Sequence, residues 1–239
     1  GSILDKEALE RGNSIYLVDR VIPMLPLELS NGICSLNPGV DRLTLSVMME
    51  IDAKGKIIDY KIDESVICSK KRMTYDNVTK ILENEDKSAI SEYGEFIDDL
   101  HNMERLCQTL RNGRMERGSI DFDLKEAKIA LNDEGKVVDI QLYDRGIADR
   151  IIEEFMIICN ETIAQHVFWG NIPFIYRIHE DPEVEKLLEF NEFIHNFGYH
   201  LKGVGGHIHP KALQNLLEES RGTREESIIN AVMLRSLQK

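Results

Sequence analysis

Apolar residues along the chain follow two different rhythms. Leu43, Leu45, Val47, Met49 and Ile51 alternate with polar residues, the period of a half-covered strand. Asp52-Ala53-Lys54-Gly55 then supplies a turn and Lys56 to Ile62 a returning strand, so the pair predicts a hairpin. Glu64 to Met73 is expected to continue that sheet. From Ser91 the rhythm changes. Tyr93, Phe96, Ile97, Leu100, Met103, Cys107 and Leu110 recur at steps of three and four, the signature of one long amphipathic helix that fades through RNGRMER to Gly118. A second hairpin is expected next. Ile120, Phe122 and Leu124 alternate, Ile129 and Leu131 lead to a turn at Asn132 to Gly135, and Val137 to Leu142 returns. Ile147 to Phe168 reads as a helix apolar on several sides, hence buried.

Shorter helices complete the pattern. Leu4 to Arg11 has Asp5 placed to cap it, and Thr74 to Leu82 carries Tyr75, Val78 and Leu82 on one face. Glu183 to Asn196 is closed by Gly198, and Pro210 opens another helix from its first position. Thr223-Arg224-Glu225-Glu226 spells a capping box before Ile228, Ile229, Val232 and Met233. Strands and helices mix up to about Arg150 and helices dominate beyond it. The class expected is α+β.

One stretch fits neither rhythm. Tyr16 to Ser46 holds Pro23, Pro26 and Pro38, three of the chain's 6 prolines, with Asn31, Gly32, Asn37 and Gly39. Such punctuation predicts a fixed, irregular connection rather than a helix. Long connections of this kind in compact domains tend to be functional.

Within it, IPMLP followed by LSNGICSLNPGVDRLTLS resembles the signature stretch of the RNB domain, the catalytic domain of the ribonuclease II and ribonuclease R family. The resemblance implies the central part of an RNB catalytic domain over residues 1–239. It implies a processive 3′-to-5′ exoribonuclease that hydrolyses single-stranded RNA by a two-metal mechanism with Mg²⁺ and releases 5′-nucleotides. It also assigns candidate RNA-binding residues. Tyr16 corresponds to an aromatic that stacks on a base near the RNA 3′ end, and stacking tolerates any sequence. Phe122, in RGSIDFDLKEAK, corresponds to the second aromatic of that clamp. Glu153 and Glu154 match an EE(x)M element whose carboxylate lies near the terminal ribose, where a 2′-hydroxyl contact favours RNA over DNA. Arg177 and His179, in FIYRIHEDP, match an R-x-H-x-x-P element beside the RNA path, with Arg177 a phosphate contact. Asn31, Asn37 and Arg42 would tie the signature stretch to the sheet.

Each residue also has a plainer reading. Tyr16 packs on a core from a loop. Phe122 is a strand residue in the core, with Asp121 and Asp123 on the solvated face opposite. Glu153 and Glu154 pair with Arg145 or Arg150 at the start of their own helix, since carboxylates in an apolar helix need partners. Spacing does not decide which of the two glutamates faces the RNA, and Glu154 is the slightly favoured one. His195, His200, His207 and His209 lack the regular spacing of a metal-binding helix, and no metal ligand is assigned.

The family's carboxylate cluster, D-x(5)-D-x-D-D, and its T-S-P-I-R-[RK]-Y motif do not occur in the sequence. The expectation is therefore a fragment that helps to bind the RNA 3′ end but is inert alone, with no catalytic residue and no Mg²⁺ of its own. Net charge changes the picture further. It is −13, the wrong sign for an autonomous RNA-binding module. The alternative is a non-enzymatic acidic interaction domain that binds a protein partner, and a weaker third is a separate active site built on Glu153 and Glu154. The 4 cysteines form no CxxC pair, which predicts reduced, mostly buried thiols and a cytoplasmic setting. No apolar run is long enough to span a bilayer. Sheet edges and apolar faces are expected to drive self-association.

Overall fold

The computed structural model describes residues 1–122, 126–143, 145–178, 180–203 and 208–237. Three antiparallel hairpins order the strands among these residues. β1 (Ile15–Tyr16) pairs with β2 (Val21–Ile22), β3 (Asp41–Ile51) with β4 (Ile57–Cys68), and β5 (Glu126–Leu131) with β6 (Val137–Tyr143). The helices are α1 (Ile3–Arg11), α2 (Tyr75–Leu82), α3 (Lys87–Glu92), α4 (Ile97–Glu116), α5 (Ile147–Trp169), α6 (Val184–His195), α7 (Pro210–Ser220) and α8 (Glu226–Ser236). The α+β class with antiparallel hairpins is as expected.

The chain separates into two compact units. The first comprises Gly1–Asp52, Lys56–His101 and Lys125–Arg150. Its longest feature is the β3–β4 ribbon, which reaches Cys68 rather than Met73, with Asp41 opposite Cys68 and a register irregularity at Glu50/Ile51. Val78, Ile81, Ala89, Tyr93, Leu100 and Ala148 are its buried apolar side chains. Tyr93 also accepts a hydrogen bond at its hydroxyl from Asn77 Nδ2 at 2.9 Å.

The second unit comprises Ala53–Gly55, Asn102–Leu124 and Ile151–Lys239. Phe190, Ile194, Leu201, Leu213, Leu216, Ile229 and Met233 form its core, supplied by α6, α7, α8 and the loop after α6. Gly118, at φ 98°, follows α4 where a Cβ would lie 3.0 Å from the Lys211 nitrogen. Only glycine permits that approach. Gln214 completes the junction, since its Nε2 donates to the carbonyls of Met115 and Ser119, each at 3.0 Å.

Several local expectations are corrected. Ser2, not Asp5, caps α1: its Oγ accepts from the Asp5 nitrogen at 3.1 Å. The predicted single helix from Ser91 is broken into α3, a short tight turn over Gly94–Phe96 and α4, because Gly94 interrupts the pattern. The connection after β2 is not free of helix, since Glu28–Ile33 forms one wide π-type turn. Ile120 and Phe122 lie in irregular chain rather than a strand, and Leu124 lies outside the described residues. The capping box at Thr223 does not form. Thr223 Oγ1 donates to the Ser220 carbonyl instead, and Glu226 accepts from the Gly222 nitrogen, so α8 starts at Glu226. The thiols are all free, but Cys34 and Cys68 are exposed and only Cys107 is fully buried. No described helix is long and apolar enough to cross a membrane.

Candidate nucleic-acid interface

Tyr16 and Glu153–Glu154 belong to different units, and each has its own local construction. In the first unit, Tyr16 pairs with Val21 across the small β1–β2 ribbon. The turn between them is closed by Leu17 N donating to the Arg20 carbonyl at 2.8 Å. Met24 N donates to Ser14 Oγ at 3.0 Å, which fixes the chain entering the proline stretch. Tyr16 is 79% exposed. An exposed aromatic side chain held on a hydrogen-bonded turn is suited to stacking. It does not pack on a core.

The segment that follows is pinned by one guanidinium. Arg42 Nε donates to the Ser35 carbonyl at 2.9 Å, Nη2 to the Gly32 carbonyl at 3.2 Å and Nη1 to the Asp41 carbonyl at 3.1 Å. Asn37 Nδ2 donates to the Asn31 carbonyl at 3.0 Å. Arg42 is itself the second residue of β3, so the loop is tied to the ribbon by the residues the sequence singled out.

In the second unit, Glu154 is only 2% exposed. Its partner is on α4, not at the start of its own helix. Arg114 Nε donates to Oε2 at 3.1 Å and Nη2 to Oε1 at 2.5 Å, a bidentate fork. Arg111 Nη1 stands 3.7 Å from Oε1 and also pairs with Asp121. Arg114 Nη1 donates to Ser119 Oγ at 2.8 Å. Glu153 lies 3.5 Å from Arg114 Nη2, at the rim, with its side chain 35% exposed. Burial alone would lower the Arg114 pKa. The hydrogen bond and charge of Glu154, with the charges of Glu153 and Asp121, outweigh that and hold it above its ordinary value.

Two guanidinium groups thus face three carboxylates. The cluster has no positive surplus with which to take a phosphate. Its rim carboxylate, Glu153, is partly exposed. Glu154, with both oxygens engaged, is a structural anchor in this arrangement. Asp121 is ion-paired rather than solvated, because the chain after Gly118 carries it back alongside α4. The sequence held the signal for these partners in Arg111 and Arg114, one turn apart in RNGRMER, but not their destination.

Phe122 is half-buried and packs against the α6–α8 core. Arg177 is exposed on the 172–178 connection and has no hydrogen bond or ion pair among the described residues. His179 and Asp123 lie outside those residues. Among the described residues, no group of three or more His, Cys, Asp or Glu side chains is placed to hold a metal ion. The carboxylates of the α4–α5 cluster do not fit Mg²⁺ either, since guanidinium groups already occupy the lone pairs that a hard cation would need.

Comparison with known proteins gives a consistent result. The RNB domain profile matches residues 1–239. Ribonuclease R 1 of Lactococcus lactis is 45% identical over 238 residues, covering 100% of the chain and 29% of that protein. Ribonuclease R of Thermotoga maritima is 45% identical over 240 residues and is covered to 33%. Among solved structures, Mycoplasma genitalium RNase R in complex with ribose-methylated single-stranded RNA superimposes with a TM-score of 0.87 at 29% identity, over 100% of this chain and 37% of that one. The chain therefore spans about a third of the length of these relatives.

Proposed function

The chain belongs to the RNB-domain family, and from that premise we propose that it is the central portion of the catalytic domain of a processive 3′-to-5′ exoribonuclease. The whole enzyme hydrolyses single-stranded RNA with Mg²⁺ by a two-metal mechanism and releases 5′-nucleotides, in a cytoplasmic setting. This portion contributes to holding the RNA 3′ end. The observation that carries the reading is the full-length family match, together with an exposed Tyr16 ring on a turn fixed by hydrogen bonds.

Tyr16 stacks on a base, and Phe122 contributes the second aromatic surface. Glu153 accepts from a ribose hydroxyl while Glu154 and Arg114 hold it at the rim. Arg177 supplies a phosphate contact. Stacking and hydroxyl recognition do not require the surface to be basic, which is how a chain of charge −13 can engage RNA. The Mg²⁺-binding carboxylates are not among these residues, so the chain alone binds and does not cut.

The test uses the chain with Mg²⁺ and a 3′-labelled oligoadenylate. Binding by fluorescence anisotropy is expected without shortening of the RNA. Tyr16→Ala weakens it by about five- to 150-fold, the equivalent of one stacked base at roughly 1–3 kcal/mol. Processive 3′ trimming that disappears in Tyr16→Ala would refute inertness. The second reading, an acidic domain that binds a protein partner, is favoured by the charge alone. It is the one that stands if no RNA binds even at low salt.

A further inference from the structure

His195 ends α6, and the chain then folds straight back on itself. Gly198, at φ 85°, donates its N–H to the His195 carbonyl at 3.0 Å, and Tyr199 N donates to the Ile194 carbonyl at 3.2 Å. Leu201 N donates to Asn191 Oδ1 at 2.8 Å. Two core residues bracket this turn, Ile194 at 0% and Leu201 at 5% exposure. The backbone on either side of the two histidines is thereby fixed by burial and by three hydrogen bonds. The outcome is that His195 Nδ1 lies 3.2 Å from His200 Nδ1, with the rings exposed and their centroids 4.7 Å apart.

That separation has a chemical meaning beyond an imidazole–imidazole hydrogen bond. Zn²⁺ takes histidine nitrogen at 2.0–2.1 Å in tetrahedral geometry, which puts two ligand nitrogens about 3.3 Å apart. Two exposed rings already at that spacing need only turn about their outer torsions to aim both lone pairs at one point. Glu185, Glu189 and Glu192 lie on the same face of α6 and line the depression into which both imidazoles open. No ion pair or hydrogen bond engages these three carboxylates among the described residues. They lower the local potential for a cation.

We propose that His195 and His200 form a bidentate site for a borderline-soft divalent transition-metal ion of the Zn²⁺ type, completed by water. The two imidazoles are an open two-ligand chelate, so the site takes up exchangeable metal rather than holding a structural ion. It is separate from the Mg²⁺ chemistry proposed for the whole enzyme, which requires a carboxylate cluster. A metal clamped here joins the end of α6 to the loop after it.

Zn²⁺ alone is the probe, titrated into the chain and followed by isothermal calorimetry. One equivalent is expected to bind, with His195→Gln and His200→Gln each lowering affinity at least about tenfold. The double substitution is expected to add little to either single one, because one imidazole is no longer a chelate. Both side chains are exposed, and circular dichroism without metal checks that the variants fold. If a variant does not fold, imidazole nitrogen NMR of the unaltered chain decides. The His195 and His200 Nδ1 resonances then shift first as Zn²⁺ is added. Undiminished binding in both variants, shifts confined to other histidines, or no binding by the unaltered chain would each overturn the proposal.

Discussion

The seven apolar side chains of the α6–α8 core in the helical unit are between 0% and 5% exposed, whereas no residue of the β3–β4 ribbon in the other unit is buried. The ribbon even presents the wrong side outward. Leu43, Leu45 and Val66 are 88%, 68% and 62% exposed, while the half-covered face of its first half carries Arg42, Thr44 and Ser46. Ser65 Oγ lies within hydrogen-bond range of Thr44 Oγ1, at 2.9 Å, and of Ser46 Oγ, at 2.6 Å. The difference shows two ways of holding an element. The helices are held by what they bury. The ribbon is held by its ladder and by hydroxyl and guanidinium bonds, and two strands alone are marginal in water. An exposed apolar face of this kind is where the self-association expected from the sequence would be tested.

That contrast can be broken most severely at the α4–α5 cluster. Arg114→Ala leaves Glu154 buried without its fork, and loss of one partner of a buried pair costs about 3–5 kcal/mol. In urea unfolding the free energy of unfolding is expected to fall by that amount and the midpoint with it, and a change below about 1 kcal/mol would show that the cluster is not holding α4 to α5. The core offers the next step. Ile229→Ala is expected to cost about 2–5 kcal/mol by cavity formation. Leu45→Lys, at an exposed site of the ribbon, should fall within about 0.5 kcal/mol. The same lysine is expected to reduce self-association in sedimentation velocity, and an unchanged monomer in both proteins would remove the ribbon from consideration as a contact surface.

The smallest effect concerns Tyr143 at the end of β6. Its hydroxyl donates to Asp149 Oδ1 at 2.7 Å, and that hydrogen bond, then burial and the Asp149 charge, hold the phenol up to about 12. The fold favours the neutral phenol. Its contribution is intact below the unfolded tyrosine value of about 10 and is lost as pH rises through about 12. The stability difference between the unaltered chain and Tyr143→Phe should therefore narrow across that window. A constant difference would mean that the hydrogen bond is not what Phe removes.

Periodicity located most elements because each obeys its own local rule. α5 was legible from Ile147 onward, and β3 from Leu43, since repeats at 3.6 and 2 residues need no tertiary information. Orientation was not legible. Leu43 and Leu45 read as an inward face, yet nothing in a strand's sequence states whether another layer lies over it. The same limit governs Glu154. Burial demanded a partner, but Arg114 lies 40 residues away and only the packing of α4 brings it there. Tyr16, whose proposed role rests on exposure, was singled out only by the family resemblance at its offset from the prolines, while its exposure required the structure.

Arg42 has a consequence for how this chain tolerates changes in length. Surface connections usually accept inserted or deleted residues, because their ends are free to adjust. Here a rigid five-donor fork grips the Gly32, Ser35 and Asp41 carbonyls at once, so the count of residues from 32 to 42 is part of the geometry. One residue more or fewer would slide at least one carbonyl off the fork, and a lysine, with a single ammonium, could not span all three. The segment is therefore a ruler of fixed length, and natural variation in it should consist of substitutions rather than insertions or deletions.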